Sequence, residues 1–235
     1  MTVDTGSRIT LLTAIAVQSE IEELIPRFTR LHEIEVDVNY DVNPAVAKRV
    51  MAGEKFDVGL TNPWYVDEMI ALERVIPNIH VPFGRVPLAI GAIGSGSMDI
   101  VTSHEAVRAM LLEATSIAYT SIGTSGKTFL RAIETMGIET HLRDRLRPMG
   151  ASEPSIAAAA GKVQYAIAPL SRIIAAPGIV PVATFPRELG LNIDMSMFIS
   201  HGTGKHEPAM QLIRFFADPD LDAYFTSHGI SRYAL

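Results

Sequence analysis

The chain of 235 residues has no cysteine, which excludes disulfides, thiolate metal centres and cysteine nucleophiles together. No apolar run approaches the roughly 20 residues that span a bilayer, so membrane insertion is not expected. Basic residues are in the minority, 20 Lys and Arg against 26 Asp and Glu. The net charge of −6 leaves no basic stripe for nucleic acid. Seven histidines are present, but spacings such as that of His201 and His206 match no ligand pair, so neither metal nor cofactor is expected. Repeats, low-complexity tracts and heptads are also missing.

What remains is 48% hydrophobic and 20% charged, the composition of a globular protein with one large domain or two small lobes. Arg8–Thr13 reads as a buried strand. A helix over 19–31 follows, with Ile21, Leu24, Ile25 and Phe28 on one face. Pro26 predicts a kink or late start in it. Ile34, Val36 and Val38 alternate as a second strand, and Tyr40–Pro44 reads as a turn. A helix carrying Val46 and Val50 runs until Gly53 stops it, and a third strand spans Phe56–Leu60. Three strand–helix units in succession predict a mostly parallel sheet covered on both faces. Sites on such sheets lie beyond the carboxyl ends of the strands, here Thr13-Ala14, Asn43 and Thr61-Asn62. Trp64 follows the third strand and either lines a site or packs on its own helix.

Val86–Ile93 reads as a strand leaving a first lobe, and Leu191–Ser200 as one returning to it. Between them the pattern predicts helices over 103–114, 139–146 and 155–160 and a strand over 163–168. A helix starting near Ser171 and Arg172 faces the strand end or solvent. The chain closes on helices over 207–217 and 220–228, broken at Asp218-Pro219.

The most informative stretch is Ser116–Thr128: a short strand to Thr120, a loop of small residues over 122–126, and a helix from Thr128. A glycine-rich turn before a helix presents unpaired backbone N–H groups at the positive end of the helix dipole. That arrangement cradles small anions. Thr124 and Ser125 add hydroxyls, Gly126 an open backbone, and Lys127 a charge. Gly126-Lys127-Thr128 matches the end of a nucleotide-binding loop, but Ser121 stands where that motif requires glycine. A plain helix cap and a small-anion or carboxylate cradle remain open.

The order of elements resembles the type II periplasmic-binding-protein fold, and within it the molybdate-binding-protein-like group. The resemblance covers nearly the whole chain. It rests on Val50-Met-Ala-Gly-Glu-Lys-Phe-Asp-Val58, Ser116-Ile-Ala-Tyr119, Gly123-Thr-Ser-Gly126, Arg214-Phe-Phe-Ala-Asp-Pro219 and Ser227-His-Gly-Ile230. It implies two α/β lobes, each a mostly parallel sheet flanked by helices, joined by two crossover strands that act as a hinge. The expected division is residues 1–85 with 195–235 as lobe 1, and 86–194 as lobe 2. It also implies ligand contacts. Thr13 stands near the family's serine after the first strand, with Ala14 beside it. Asn43 stands near a second serine, and Thr124–Gly126 match backbone donors. Pro169 replaces an expected tyrosine. With that hydroxyl gone, an organic carboxylate is expected over molybdate.

Two functions follow from the resemblance. One is a solute-binding protein that closes on a small anion, carboxylate or oxyanion, and serves an ABC transporter membrane subunit if exported. The other is a cytoplasmic isomerase on the same scaffold, similar to aconitate isomerase, moving a proton on a di- or tricarboxylic acid; no catalytic residue is assigned for it. Ile9–Val17 makes a poor signal peptide, so the sequence as it stands reads as cytoplasmic, or as periplasmic with its leader removed.

Overall fold

The computed structural model describes residues 8–96, 99–186 and 189–235. Strand and helix alternate as predicted at the start: β1 (Arg8–Ala14), a 3-10 turn (Ile15–Val17) and α1 (Gln18–His32), then β2 (Glu35–Asp41) and α2 (Asn43–Met51). Next come β3 (Val58–Thr61), a 3-10 turn (Pro63–Tyr65), α3 (Val66–Ala71) and the long β4 (Val75–Ile93). The middle of the chain supplies α4 (His104–Glu113), β5 (Ile117–Thr120), α5 (Thr124–Thr135), α6 (Glu139–Leu142), β6 (Leu146–Met149) and α7 (Glu153–Ala159). It ends with β7 (Tyr165–Pro169), α8 (Leu170–Ala175), β8 (Ile179–Thr184), β9 (Asn192–Ser200), α9 (His206–Ala217) and α10 (Asp222–Ser227).

Contacts divide the chain into two compact units. The first holds residues up to Gly84, Asp194–Thr226 and Ser231–Leu235; the second holds Arg85–Ile193 and Ser227–Ile230. The first six residues and Ser7, and also Ser97, Met98, Arg187 and Glu188, lie outside the described residues.

In the first unit, β1 pairs in parallel with β2 on one side and β3 on the other, and β9 runs antiparallel along β3. The core is Leu12, Val46, Val50, Phe56, Val66, Met69 and Phe198. Gly59 is required where it stands, because a Cβ there would lie 2.1 Å from the Phe198 ring. α1 crosses Pro26 without ending, so the expected late start does not occur. The proline sits on the exposed face, where solvent can serve the carbonyl that loses its partner. The expected turn at 40–44 is also corrected. β2 continues to Asp41 and α2 starts at Asn43, with proline at the helix start where its missing N–H costs nothing.

In the second unit, β5 lies between β6 and β7, parallel to both, while β4 pairs antiparallel with β7 and β8. Phe129 and Ile133 of α5 pack with Val107, Leu111, Ile117 and Ile167. The helix expected over 139–146 is one short turn followed by a 3-10 turn (Arg143–Arg145), and its last residue, Leu146, opens edge strand β6. The helix expected from Thr128 starts four residues earlier, at Thr124. Ser125, Gly126 and Lys127 therefore belong to its first turn rather than to a loop.

Candidate functional site

In the first unit, the carboxyl ends of β1, β2 and β3 bring Thr13, Ala14, Asn43, Thr61 and Asn62 to one sheet edge. Thr13 pairs in register with Tyr40 and Leu60 and is fully buried, yet its hydroxyl has no hydrogen-bond partner. An orphaned buried hydroxyl costs about 1–3 kcal/mol, which a ligand acceptor would recover. Ala14, also buried, starts the turn into α1. The Thr61 hydroxyl lies 2.9 Å from the Asn43 carbonyl oxygen and 3.0 Å from Asn43 Oδ1. That contact ties the start of α2 to the end of β3. Asn62 Nδ2 donates to the Asp194 carbonyl at 2.7 Å, anchoring the third strand end to β9. Trp64 is exposed (54%), and its ring lies 5.9 Å from that of Tyr65.

In the second unit the edge is built around the β5–α5 turn. A Cβ on Gly126 would stand 1.7 Å from the Thr120 carbonyl oxygen, so only glycine lets the helix start sit on the strand end. A Cβ on Gly123 would lie 3.6 Å from Thr120 Oγ1 and 3.8 Å from Ser125 Oγ, so two hydroxyls border the same small space. Thr120 and Ser125 are both buried, and Thr120 Oγ1 has no hydrogen-bond partner. The Ser121 amide and hydroxyl both donate to the Met149 carbonyl, at 2.9 and 3.1 Å, and hold the turn in place. No side chain caps α5, so the Ser125 and Gly126 amides lack an acceptor within the helix. Thr124 is half-buried and Lys127 is exposed.

Pro169 and Ser171 are buried at the end of β7 and in the first turn of α8, on the strand next to β5. Pro169 brings neither hydroxyl nor N–H to this edge. Among the described residues, no group of three His, Asp or Glu side chains is placed to hold a metal ion. No helix of the described residues is long and apolar enough to cross a membrane.

The sequence reading thus names residues that the structure gathers in two sets, Thr13, Ala14, Asn43 and Asn62 in one unit and Thr124–Lys127, Pro169 and Ser171 in the other. It misses Thr120. A threonine closing a buried strand before a glycine turn was the available signal, but its missing partner is a property of packing.

Residues 9–231 match the family described as bacterial extracellular solute-binding protein. A search of curated proteins by sequence finds no match. Among solved structures, the chain is similar to the periplasmic molybdate-binding protein of Azotobacter vinelandii, at 16% identity and a TM-score of 0.81, over 96% of this chain and 100% of that one. It is also similar to the sulfate-binding protein SubI of Mycobacterium tuberculosis (14%, 0.75, over 95% and 86%). A third is the tungstate-binding protein TupA of Desulfovibrio alaskensis (12%, 0.69, over 97% and 100%). At these identities the likeness establishes the fold alone, and the expected periplasmic-binding-protein fold holds.

Proposed function

We infer the function from one premise: this chain belongs to the bacterial extracellular solute-binding protein family. On it we propose a receptor that holds a small oxyanion and does no chemistry on it. The carrying observation is that each unit has, at or one residue before the end of a strand, a buried threonine whose hydroxyl has no hydrogen-bond partner, Thr13 and Thr120. Hydroxyls and helix-start amides are neutral donors, suited to an anion that must be released again. Ser125 and the amides of Ser125 and Gly126 supply the second unit's share, and Asn43 and Asn62 shape the first unit's. Hinge closure on the ligand, an extracytoplasmic location and delivery to an ABC transporter membrane subunit belong to the same reading.

The comparison proteins are named for molybdate, sulfate and tungstate, which favours an inorganic oxyanion over the carboxylate expected from Pro169. Neither a carboxylate preference nor an isomerase finds support among them. The test is calorimetric titration and thermal shift with molybdate, tungstate, sulfate and citrate. A ligand at 100 times its dissociation constant should stabilise the protein by about 2.7 kcal/mol. Ser125→Ala should weaken the bound oxyanion about tenfold. Binding of citrate alone, with deuterium entering it from heavy water, would overturn the receptor in favour of the isomerase.

A further inference from the structure

The first unit has a cavity of about 520 Å³ at the opposite edge of its sheet, where β3 begins and β9 ends. Thr10 lines it, three residues before Thr13 along β1, so it lies about 10 Å from the edge already described. Its acids are mostly engaged. Asp57 accepts from the Thr10 amide at 2.8 Å and the Thr203 hydroxyl at 2.6 Å, with Lys205 Nζ 3.5 Å away. Glu54 is held by two nitrogens of Arg49 at 2.6 and 2.7 Å.

Lys205 apart, its basic side chains are not. Arg74, Lys55 and the His201 ring have no side-chain hydrogen-bond or ion-pair partner among the described residues. Arg74 is exposed beside Gly53, whose φ of 85 makes the turn; a Cβ there would lie 3.4, 3.5 and 3.6 Å from Arg74 Cζ, Nη2 and Nη1, so the guanidinium sits next to this turn. Its N–H edge has no acceptor among the described residues. Such an edge takes carboxylate or phosphate by two parallel hydrogen bonds. The charged side chains of the lining balance, Lys55, Arg74 and Lys205 against Glu54, Asp57 and Glu73, but Glu54 is answered by Arg49 from outside the lining and Asp57 by Lys205.

We propose that this cavity is a second ligand site, taking a small organic anion whose carboxylate or phosphate head is held by Arg74. Its volume decides for an organic molecule, because small-molecule pockets run from roughly 300 to 1,000 Å³ and a bare oxyanion would leave most of the space open. Lys55 and His201 border the head group, and the Asp57–Thr203–Lys205 network fixes the wall behind it.

The test is calorimetric titration with glycerol 3-phosphate and, separately, succinate, on the wild type and on Arg74→Gln, Lys55→Gln and Ser125→Ala. At least one probe should bind the wild type, and which one does assigns the head group. Arg74→Gln should weaken that probe about tenfold or more, and Lys55→Gln by less. Ser125→Ala should leave it unchanged, while lowering oxyanion affinity at the first site. Absence of binding by both probes would overturn the proposal. So would equal binding by Arg74→Gln, or loss of the probe in Ser125→Ala, which would place it at the first site. Failure of the oxyanion reading alone would show as no molybdate, tungstate or sulfate binding with the Arg74 dependence intact.

Discussion

The two units solve the same local problem with different materials. Each places a buried threonine with an orphaned hydroxyl at or one residue before the end of a strand and starts a helix beyond it without a side-chain cap. In the first unit the connection is apolar and closed: Ala14, Ala16 and Val17 are buried, and the buried acid Glu20 stands in the first turn of α1. In the second unit the connection is small and open, with Ser121 and Ile122 exposed and no acid in the first turn of α5. A carboxylate at a helix start already answers its positive end. The start of α5 has no such carboxylate, and that of α1 has one. On the proposed reading the second unit therefore offers an anion mainly amides and dipole, and the first mainly a hydroxyl.

The sharpest way to break this comparison is at Gly126. Gly126→Ala should cost about 3 kcal/mol by overpacking, despite alanine's better helix propensity, and should abolish oxyanion binding. Urea denaturation and calorimetry measure both. An alanine tolerated without loss would mean that the α5 start does not rest on Thr120.

The paired variants Thr13→Val and Thr120→Val come next. Valine keeps the shape and removes the orphan, so each should raise the stability of the ligand-free protein by about 1 kcal/mol and lower oxyanion affinity several-fold. If the units contribute as argued, Thr13→Val takes most of the first unit's share, whereas Thr120→Val leaves the α5 amides in place. A smaller effect belongs to Lys127→Glu. Reversing an exposed charge in the first turn of α5 should weaken anion binding about two- to fivefold, an effect that shrinks in high salt.

The smallest effect concerns pH and only the first unit. His80 Nε2 lies 2.6 Å from Ser196 Oγ, and burial holds its pKa below the ordinary histidine value, with the Asp67 charge opposing. The unfolded chain takes up this proton more readily than the folded one. Stability from His80 is thus fully present above about pH 6.5 and is lost as pH falls through that value toward the depressed folded pKa. His80→Gln should flatten the melting temperature between neutral and mildly acidic pH.

What could be read in advance divides along physical lines. β1, β2, β3, α1 and α2 were legible because apolar spacing and the Gly53 stop agree with the final packing. The first eleven residues of β4 were not, since Pro77, Pro82 and the left-handed Asn78 (φ 68) read as loop. A strand that gives up donors at its prolines keeps its place through its neighbours, which no local pattern reveals. β6 hides for a similar reason, being four residues with a proline at a sheet edge. At the candidate site, residue types were legible and their state was not. That Ser125 is buried, Lys127 exposed and the Thr120 hydroxyl without a partner depends on where β5 and α5 meet. The Arg74 cavity was invisible because residues 53, 74 and 201–205 meet only once the sheet is assembled.

The division of the chain also sets an order of events at birth. The second unit draws almost entirely on one continuous segment, Arg85–Ile193, whereas the first needs residues on both sides of it. β3 cannot gain its β9 neighbour, Glu23 its Tyr224 partner, or Phe83 its bond from Arg232 until the last quarter of the chain has left the ribosome. Domains fold as their residues emerge, at about 5–20 residues per second. β3 is thus among the first strands to be made and among the last to gain both of its neighbours.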